Sequence, residues 1–227
     1  HRFVGLVRLH NGGILFELNS AEAADWVRSN EVREHFLRQF NENASMKSRT
    51  FSLIARFIPL SFQPDIPSAL REVKEANSDR IASGSLVRAR WVKPVYRRDP
   101  TQTCGHVILV FSDVKAANTA ILNGLLIRQK RIQVEKTKKE PLRCLKCQGW
   151  NHIAAECVSE KEVCGTCGQD HRTEACANKG NPHCVSCESD HMSWSRFCPT
   201  FLRKCLDLDE RMQENSMPYF PTDEAWT

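Results

Sequence analysis

The chain has 227 residues, 41% of them apolar and 26% charged, with a formal net charge of +5 at pH 7. That length accommodates one sizeable core plus small modules, and the apolar content is that of a chain that mostly folds. No apolar run approaches the roughly 20 residues that span a bilayer, so no membrane partner and an intracellular location, in the cytoplasm or the nucleus, are expected. The first residue is His1, inside an apolar run, which reads as the start of a fragment or of an incomplete gene model.

Residues 4–18 alternate around Asn11-Gly12-Gly13, a hairpin turn signal. Ser20 suits a helix N-cap, with Ala23 and Val27 following at helical spacing. Asn30 is expected to cap a second helix with Val32, Phe36 and Phe40 on one face. Residues 48–60 predict a strand, and Asp65 is expected to cap a short helix with Ile66, Leu70 and Val73 as its apolar positions and Pro67 in its first turn. Residues 85–94 read as a strand with Val87, Ala89 and Trp91, or their neighbours, inward. Residues 104–112 read as a buried strand that includes Cys104. Asp113 caps a helix through Ala117, Ala120 and Ile121, stopped by Gly124, and residues 131–136 form the last strand.

From residue 48 the order is β-α-β-β-α-β, so the predicted class is α+β with a ferredoxin-like, RNA-recognition-like domain over 48–137. A weak internal repeat relates Phe16-x-Leu18-x-Ser20-x-Glu22-Ala23-Ala24 to Leu109-x-Phe111-x-Asp113-x-Lys115-Ala116-Ala117. Residues 1–47 are therefore either the C-terminal half of a truncated first module or an extension of the next domain. RNA-recognition sheets carry base-stacking aromatics on their open face. This chain has His106 and Ile108 there in the third strand, and Leu53 or Ile54 in the first. Trp91 and Tyr96, among Arg88, Arg90, Lys93, Arg97 and Arg98, form a substitute stacking and phosphate-contact set, with Trp91 as core the alternative.

Charge is segregated. Residues 86–147 hold fourteen Lys/Arg against four acids, a net of +10, which leaves −5 for the remainder. The basic stretch continues through Arg128, Lys130, Arg131, Lys136, Lys138, Lys139, Arg143 and Lys146, with 138–143 as a basic linker. A solvated charged face is the bland reading; a polyanion partner is the sharper one.

The linker runs into three cysteine units. They are Cys144, Cys147, His152, Cys157 (residues 144–157); Cys164, Cys167, His171, Cys176 (164–176); and Cys184, Cys187, His191, Cys198 (184–198). Each supplies three thiolates and an imidazole, a full tetrahedral set for structural zinc, so three zinc ions are expected. Four protein ligands leave no open position for a catalytic water, and such a short unit folds on its metal. A secreted disulfide framework fits poorly, because the eleven cysteines are odd in number and each unit carries a histidine. Cross-bracing between two ions is disfavoured by the short internal gaps. Leu145 and Ile153 are read as a small apolar plateau that contacts bases. Trp150 and Trp194 are read as stacking rings, with packing on their own zinc loops as the alternative. Residues 199–227 predict a helix, with Leu202, Leu206 and Leu208 as anchors and Cys205 within it, then an acidic tail. Pro218, Tyr219, Phe220 and Trp226 of that tail either dock on the zinc modules or bind a partner.

An RNA-recognition-like region followed by KKEPLRCLKCQGWNHIAAEC, CGTCGQDHRTEAC and CVSCESDHMSWSRFCP resembles the Gag-like first-frame proteins of non-LTR retrotransposons of the jockey, I-factor and fungal Tad types. His191, Trp194, Cys198 and Pro199 are its most specific piece, and the first unit also resembles retroviral nucleocapsid knuckles. Gln148 and Asn151 stand where that family usually has glycines. The resemblance implies a non-enzymatic protein that binds single-stranded RNA or DNA, packages element RNA in a self-associating ribonucleoprotein and acts as a nucleic-acid chaperone. Three other readings stay open: a host RNA-processing or translation factor, a protein-interaction module, and an enzyme. For the last, the chain shows no clustered acidic triad and no phosphate loop.

Overall fold

The computed structural model describes residues 1–9, 12–41 and 43–227, which divide into two compact units, His1–Thr50 and Phe51–Thr227. In the first, β1 (Phe3–Arg8) and β2 (Ile14–Leu18) pair antiparallel, with Leu6 opposite Phe16 and Arg8 opposite Ile14. Asn11 of the expected turn lies outside the described residues. Ser20 accepts a hydrogen bond from the Ala23 amide at 3.2 Å and caps α1 (Ala21–Arg28), which buries Ala23 and Val27. The next helix, α2 (Asn30–Phe40), has Ser29 rather than Asn30 at its cap position. Asn30 is already helical, and its side chain accepts from the Arg33 guanidinium at 3.2 Å. Phe36 and Phe40 share one face as expected and pack on Phe16 with ring centroids 5.4 and 5.5 Å apart.

The second unit begins with β3 (Phe51–Pro59), α3 (Pro67–Ala76), β4 (Leu86–Trp91), β5 (Cys104–Phe111) and α4 (Val114–Asn123). β6 (Leu125–Ile127), β7 (Lys130–Ile132) and β8 (Val134–Lys136) follow. One antiparallel sheet runs in the order β4-β5-β3-β8, while β6 and β7 form a separate hairpin. The period-2 pattern sends Leu53, Ala55, Val107, Leu109 and Val134 to one face, where Val73 of α3 and Ala117, Ala120 and Ile121 of α4 cover them. Each fully buried Leu, Ile or Val contributes on the order of 1.5–3 kcal/mol. Asp113 caps α4 by accepting from the Ala116 amide at 2.7 Å, and Gly124 ends it at φ 69°.

Several expectations are corrected. Asp65 does not cap α3; Ile66 holds the cap position without a side-chain bond, and Pro67 begins the helix. Val87 is exposed because a register shift between Leu86 and Arg88 turns it outward, leaving Leu86, Ala89 and Trp91 buried. Cys104 is only half-buried, at the start of its strand. The predicted last strand is broken at Gln133: residues 130–132 pair with β6, and only 134–136 join the sheet. The turn of that hairpin, Arg128-Gln129, has φ of 51° and 61°. Both central residues are left-handed, as a type I′ turn requires, yet neither is the usual Asn or Gly. That unusual composition hid the hairpin in the sequence.

Beyond the cysteine units, α5 (Pro199–Arg211) and α6 (Gln213–Ser216) lead into a tail that docks on the α+β core. Asn118 of α4 donates to the Phe220 carbonyl at 2.7 Å and accepts from the Phe220 amide at 2.9 Å, both groups being buried. The Phe220 ring meets Phe51 edge-on at 5.0 Å. Asn215 likewise accepts from the Lys139 amide at 2.7 Å and donates to its carbonyl at 3.1 Å. Replacing Asn118 by Ala leaves the buried amide and carbonyl of Phe220 without partners. The variant is expected to lose about 1–3 kcal/mol of stability, read as a lower urea midpoint at unchanged slope in zinc-loaded protein.

Candidate metal centres

Each cysteine unit is built on the same tight loop. The Cys144 amide donates to the Gly149 carbonyl at 2.7 Å, and the Gln148 amide returns to the Cys144 carbonyl at 3.0 Å. The second unit repeats this with Cys164 to Gln169 and Gly168 to Cys164, both at 2.8 Å. The third repeats it with Cys184 to Ser189 at 3.0 Å and Glu188 to Cys184 at 2.8 Å. The residue after the second cysteine is left-handed throughout, with φ of 60° at Gln148, 75° at Gly168 and 60° at Glu188. Asn151 is also left-handed at 67°. Gln148 and Asn151 thus keep a glycine-like backbone without glycine. A second device recurs: Thr173 Oγ1 accepts from the Gly165 amide at 2.8 Å, and Ser193 Oγ from the Val185 amide at 3.1 Å.

These loops gather the twelve expected ligands into three clusters, one per unit, and within each the ligand atoms lie within 4.8 Å of one another. Among the described residues, no further cluster of this kind occurs. Zinc–sulfur bonds of about 2.3 Å in a tetrahedron place sulfurs about 3.8 Å apart. Cys167 and Cys176 stand at 3.8 Å, Cys184 and Cys198 at 3.7 Å, and Cys187 and Cys198 at 3.6 Å. The histidines offer Nε2 to Cys147, Cys167 and Cys187 at 3.3, 3.6 and 3.1 Å. Nδ1 of His152 and His191 is held by the Trp150 and Met192 carbonyls at 3.0 and 2.9 Å, which fixes the tautomer that points Nε2 inward. The donor set and its spacing fit three zinc ions, one per unit. No cysteine is in a disulfide, and the grouping within units excludes a cross-braced pair.

The loops shift the thiols in both directions, and burial raises Cys147, Cys176 and Cys184. Burial raises the Cys164 thiol, but the Cys167 and Thr166 amides and the neighbouring thiols outweigh it and bring it down to about 6. Burial is likewise overcome at Cys187, brought to about 6 by Ser189, and at Cys157, brought to about 7 by the Ser159 amide and His152. Cys198 is the N-cap residue of α5, so the positive end of that helix lies beside a thiolate.

The units form one packed array. The Val163 amide donates to the Lys146 carbonyl at 2.7 Å, joining the first two. The His183 amide donates to the Thr166 carbonyl and the Ser193 amide to the Gly165 carbonyl, both at 2.7 Å, joining the last two. Gln148, which spacing did not single out, is the central node. It is buried, accepts from Arg143 Nη1 at 2.7 Å and donates to the Val163 carbonyl at 2.9 Å. Trp150 packs on the third unit instead of its own loop. Its Nε1 donates to Ser186 Oγ at 3.2 Å, and its ring lies 6.4 Å from Phe201 and 5.5 Å from Lys204 Nζ. Trp194, half exposed, lies against Gly165 of the second unit, where a Cβ would come within 3.0 Å of its ring.

The basic residues separate into two groups. Arg88, Arg90, Lys93, Arg97, Lys130, Arg131, Lys138 and Lys139 are exposed. Lys136, Arg143, Arg128 and Arg98 are engaged within the molecule. Lys136 follows Val134 inward and is only 9% exposed; its Nζ donates to the Glu214 carbonyl and, at 3.2 Å, to that of Tyr219. Lys136 is therefore a tail anchor, and its expected phosphate contact is withdrawn. Arg143 is half-buried beside Gln148, and burial lowers its guanidinium while the Cys184 and Cys198 thiols pull it back up. Its charge lies near the third cysteine unit. Arg128 pairs with Glu72 at 3.3 Å, and the Arg98 guanidinium covers the buried Trp91 ring at 4.0 Å. Leu145, Ile153 and Tyr96 are exposed, and Lys146 is half-buried.

No helix among the described residues is long and apolar enough to cross a membrane. The chain matches no family model, no curated protein and no solved structure.

Native mass spectrometry of purified protein is expected to return three zinc ions per chain; two or fewer would refute one ion per unit. Protons compete with zinc for the same thiolates. Cys164 and Cys187 are lowered to about 6, whereas burial raises Cys147, Cys176 and Cys184, so falling pH protonates the ligand set progressively. A zinc-indicator titration is expected to show retention at pH 8 and progressive release as the pH is lowered. The left-handed Glu188 is exposed, so Glu188→Gly is expected to raise stability by about 1 kcal/mol. Gln148→Gly removes central hydrogen bonds worth about 1–3 kcal/mol, a loss that the same left-handed relief offsets in part; paired denaturation midpoints measure both.

Proposed function

We propose that this chain is a zinc-dependent binding protein for single-stranded nucleic acid, RNA in the first place. On this reading it is a Gag-like protein that packages retroelement RNA in an intracellular ribonucleoprotein, self-associates there and acts as a nucleic-acid chaperone. The observation that carries the proposal is the joining of three closed Cys3His centres to an α+β unit with exposed cations at Arg88, Arg90, Lys130, Arg131, Lys138 and Lys139. The strand order β4-β5-β3-β8, all antiparallel, supports taking that unit as ferredoxin-like and RNA-recognition-like. Each zinc has four protein ligands, which favours binding over catalysis. Phosphate contacts give sequence-tolerant affinity with strong salt dependence, and many weak contacts let strands exchange while staying bound.

One observation favours a second reading. Trp150 and Trp194 are engaged between units, so the array also suits a rigid protein-interaction module. Titration with matched single-stranded and duplex RNA over a series of salt concentrations separates the two. The proposal expects preference for the single strand. Replacing Lys130, Arg131, Lys138 and Lys139 together by Ala is expected to lower the magnitude of the log–log salt slope by roughly 3 on single strands. An unchanged slope would contradict phosphate contact by these residues, and absence of RNA binding by the native protein would leave the interaction module.

A further inference from the structure

The open face of the β3–β5 sheet carries an aromatic that strand alternation does not anticipate. Ala55 pairs with Val107 and Ile58 with Gly105, so two residues of β3 stand opposite His106 alone, and Phe57 is thrown out by this bulge. Its φ is 56°, a region that bulky residues seldom occupy, and it is 68% exposed. The Phe57 amide donates to His106 Nδ1 at 3.2 Å, and the two rings meet edge to face at 5.2 Å. His106 thus fixes the position of Phe57.

The cations of this face outnumber its acids. Arg90 pairs across from Ile108 and Arg88 across from Val110, which sets both guanidiniums on the same face as His106. Both are exposed. Glu135 of β8, opposite Ile54, is neutralised by Arg56 at 3.0 Å. An exposed ring on the same sheet face as two exposed guanidiniums complements a base and the phosphates of its strand.

The geometry points to Phe57, positioned by His106, as the base-stacking platform of the sheet, with Arg88 and Arg90 contacting the phosphates of a single strand. This rests on the nucleic-acid reading above and names the sheet face and the ring that carry it. A duplex, whose bases are already stacked on one another, gains nothing from such a platform.

The test uses the full zinc-loaded chain, a labelled oligouridine of about ten nucleotides and a duplex RNA at one fixed salt concentration. Phe57→Gly removes the ring and suits the left-handed backbone, so the melting temperature should hold or rise. Its Kd for oligouridine should increase about 5- to 150-fold, the value of one stacked base, with the duplex changed less than about 2-fold. Phe57→Tyr should bind like the native chain. Phe57→Asn, which also tolerates this backbone, repeats the measurement should glycine loosen the strand. Native-like oligouridine binding by both ring-less variants would overturn the platform while leaving the nucleic-acid reading intact, and so would equal losses on both RNAs. A native chain that binds no oligouridine would overturn both.

Discussion

Metal ligation is the constraint on which the C-terminal half of this protein depends. The second cysteine unit has no apolar core of its own; its buried cluster consists of Cys164, Cys167 and Cys176. A structural zinc site is worth on the order of 10–16 kcal/mol at neutral pH, several times the value of a buried leucine. The ion does for these loops what Leu53, Leu109 and Phe111 do for the α+β sheet. Once the loops are set, polar contacts between them become possible, since Lys146, Gly165 and Thr166 present carbonyls to the next unit only when each loop is closed. Gln148 then ties the first unit to the second, and Trp150 ties it to the third and to α5.

The array does not end at its last ligand. Cys198 starts α5, and α5 delivers Asn215 to Lys139 and Phe220 to Asn118. The chain thereby leaves the α+β unit through the linker, passes through three metal loops and returns to the same core. Both ends of the array are anchored to one sheet, which restrains the zinc units far more than a string of independent knuckles would be. This closure also explains the fate of the cations in the linker region. Lys136 and Arg143 hold tail carbonyls and the buried Gln148 amide in place, so they belong to the architecture. What remains for an external anion is a smaller surface than the net +10 of residues 86–147 suggests.

The sequence by itself determined whatever is settled within a few residues. Ligand spacing dictated the three centres, because a C-x2-C loop and a histidine four or five residues later leave the sulfurs and imidazole little choice but to converge. Ser20 and Asp113 were legible as caps for the same reason: each bonds an amide three residues on. Apolar runs marked β3 and β5 as strands, and the structure shows that each buries one face and leaves the other more open. Tertiary structure alone decided the rest. The outward turn of Phe57 depends on a bulge set by pairing with β5, the inward turn of Lys136 on the register of β8, and the Arg128-Gln129 turn on backbone angles its residue types do not favour. Asn118 and Phe220 lie 102 residues apart in the chain, so no local pattern marks either as the other's partner; only burial of both, where an unpaired amide is costly, selects that contact.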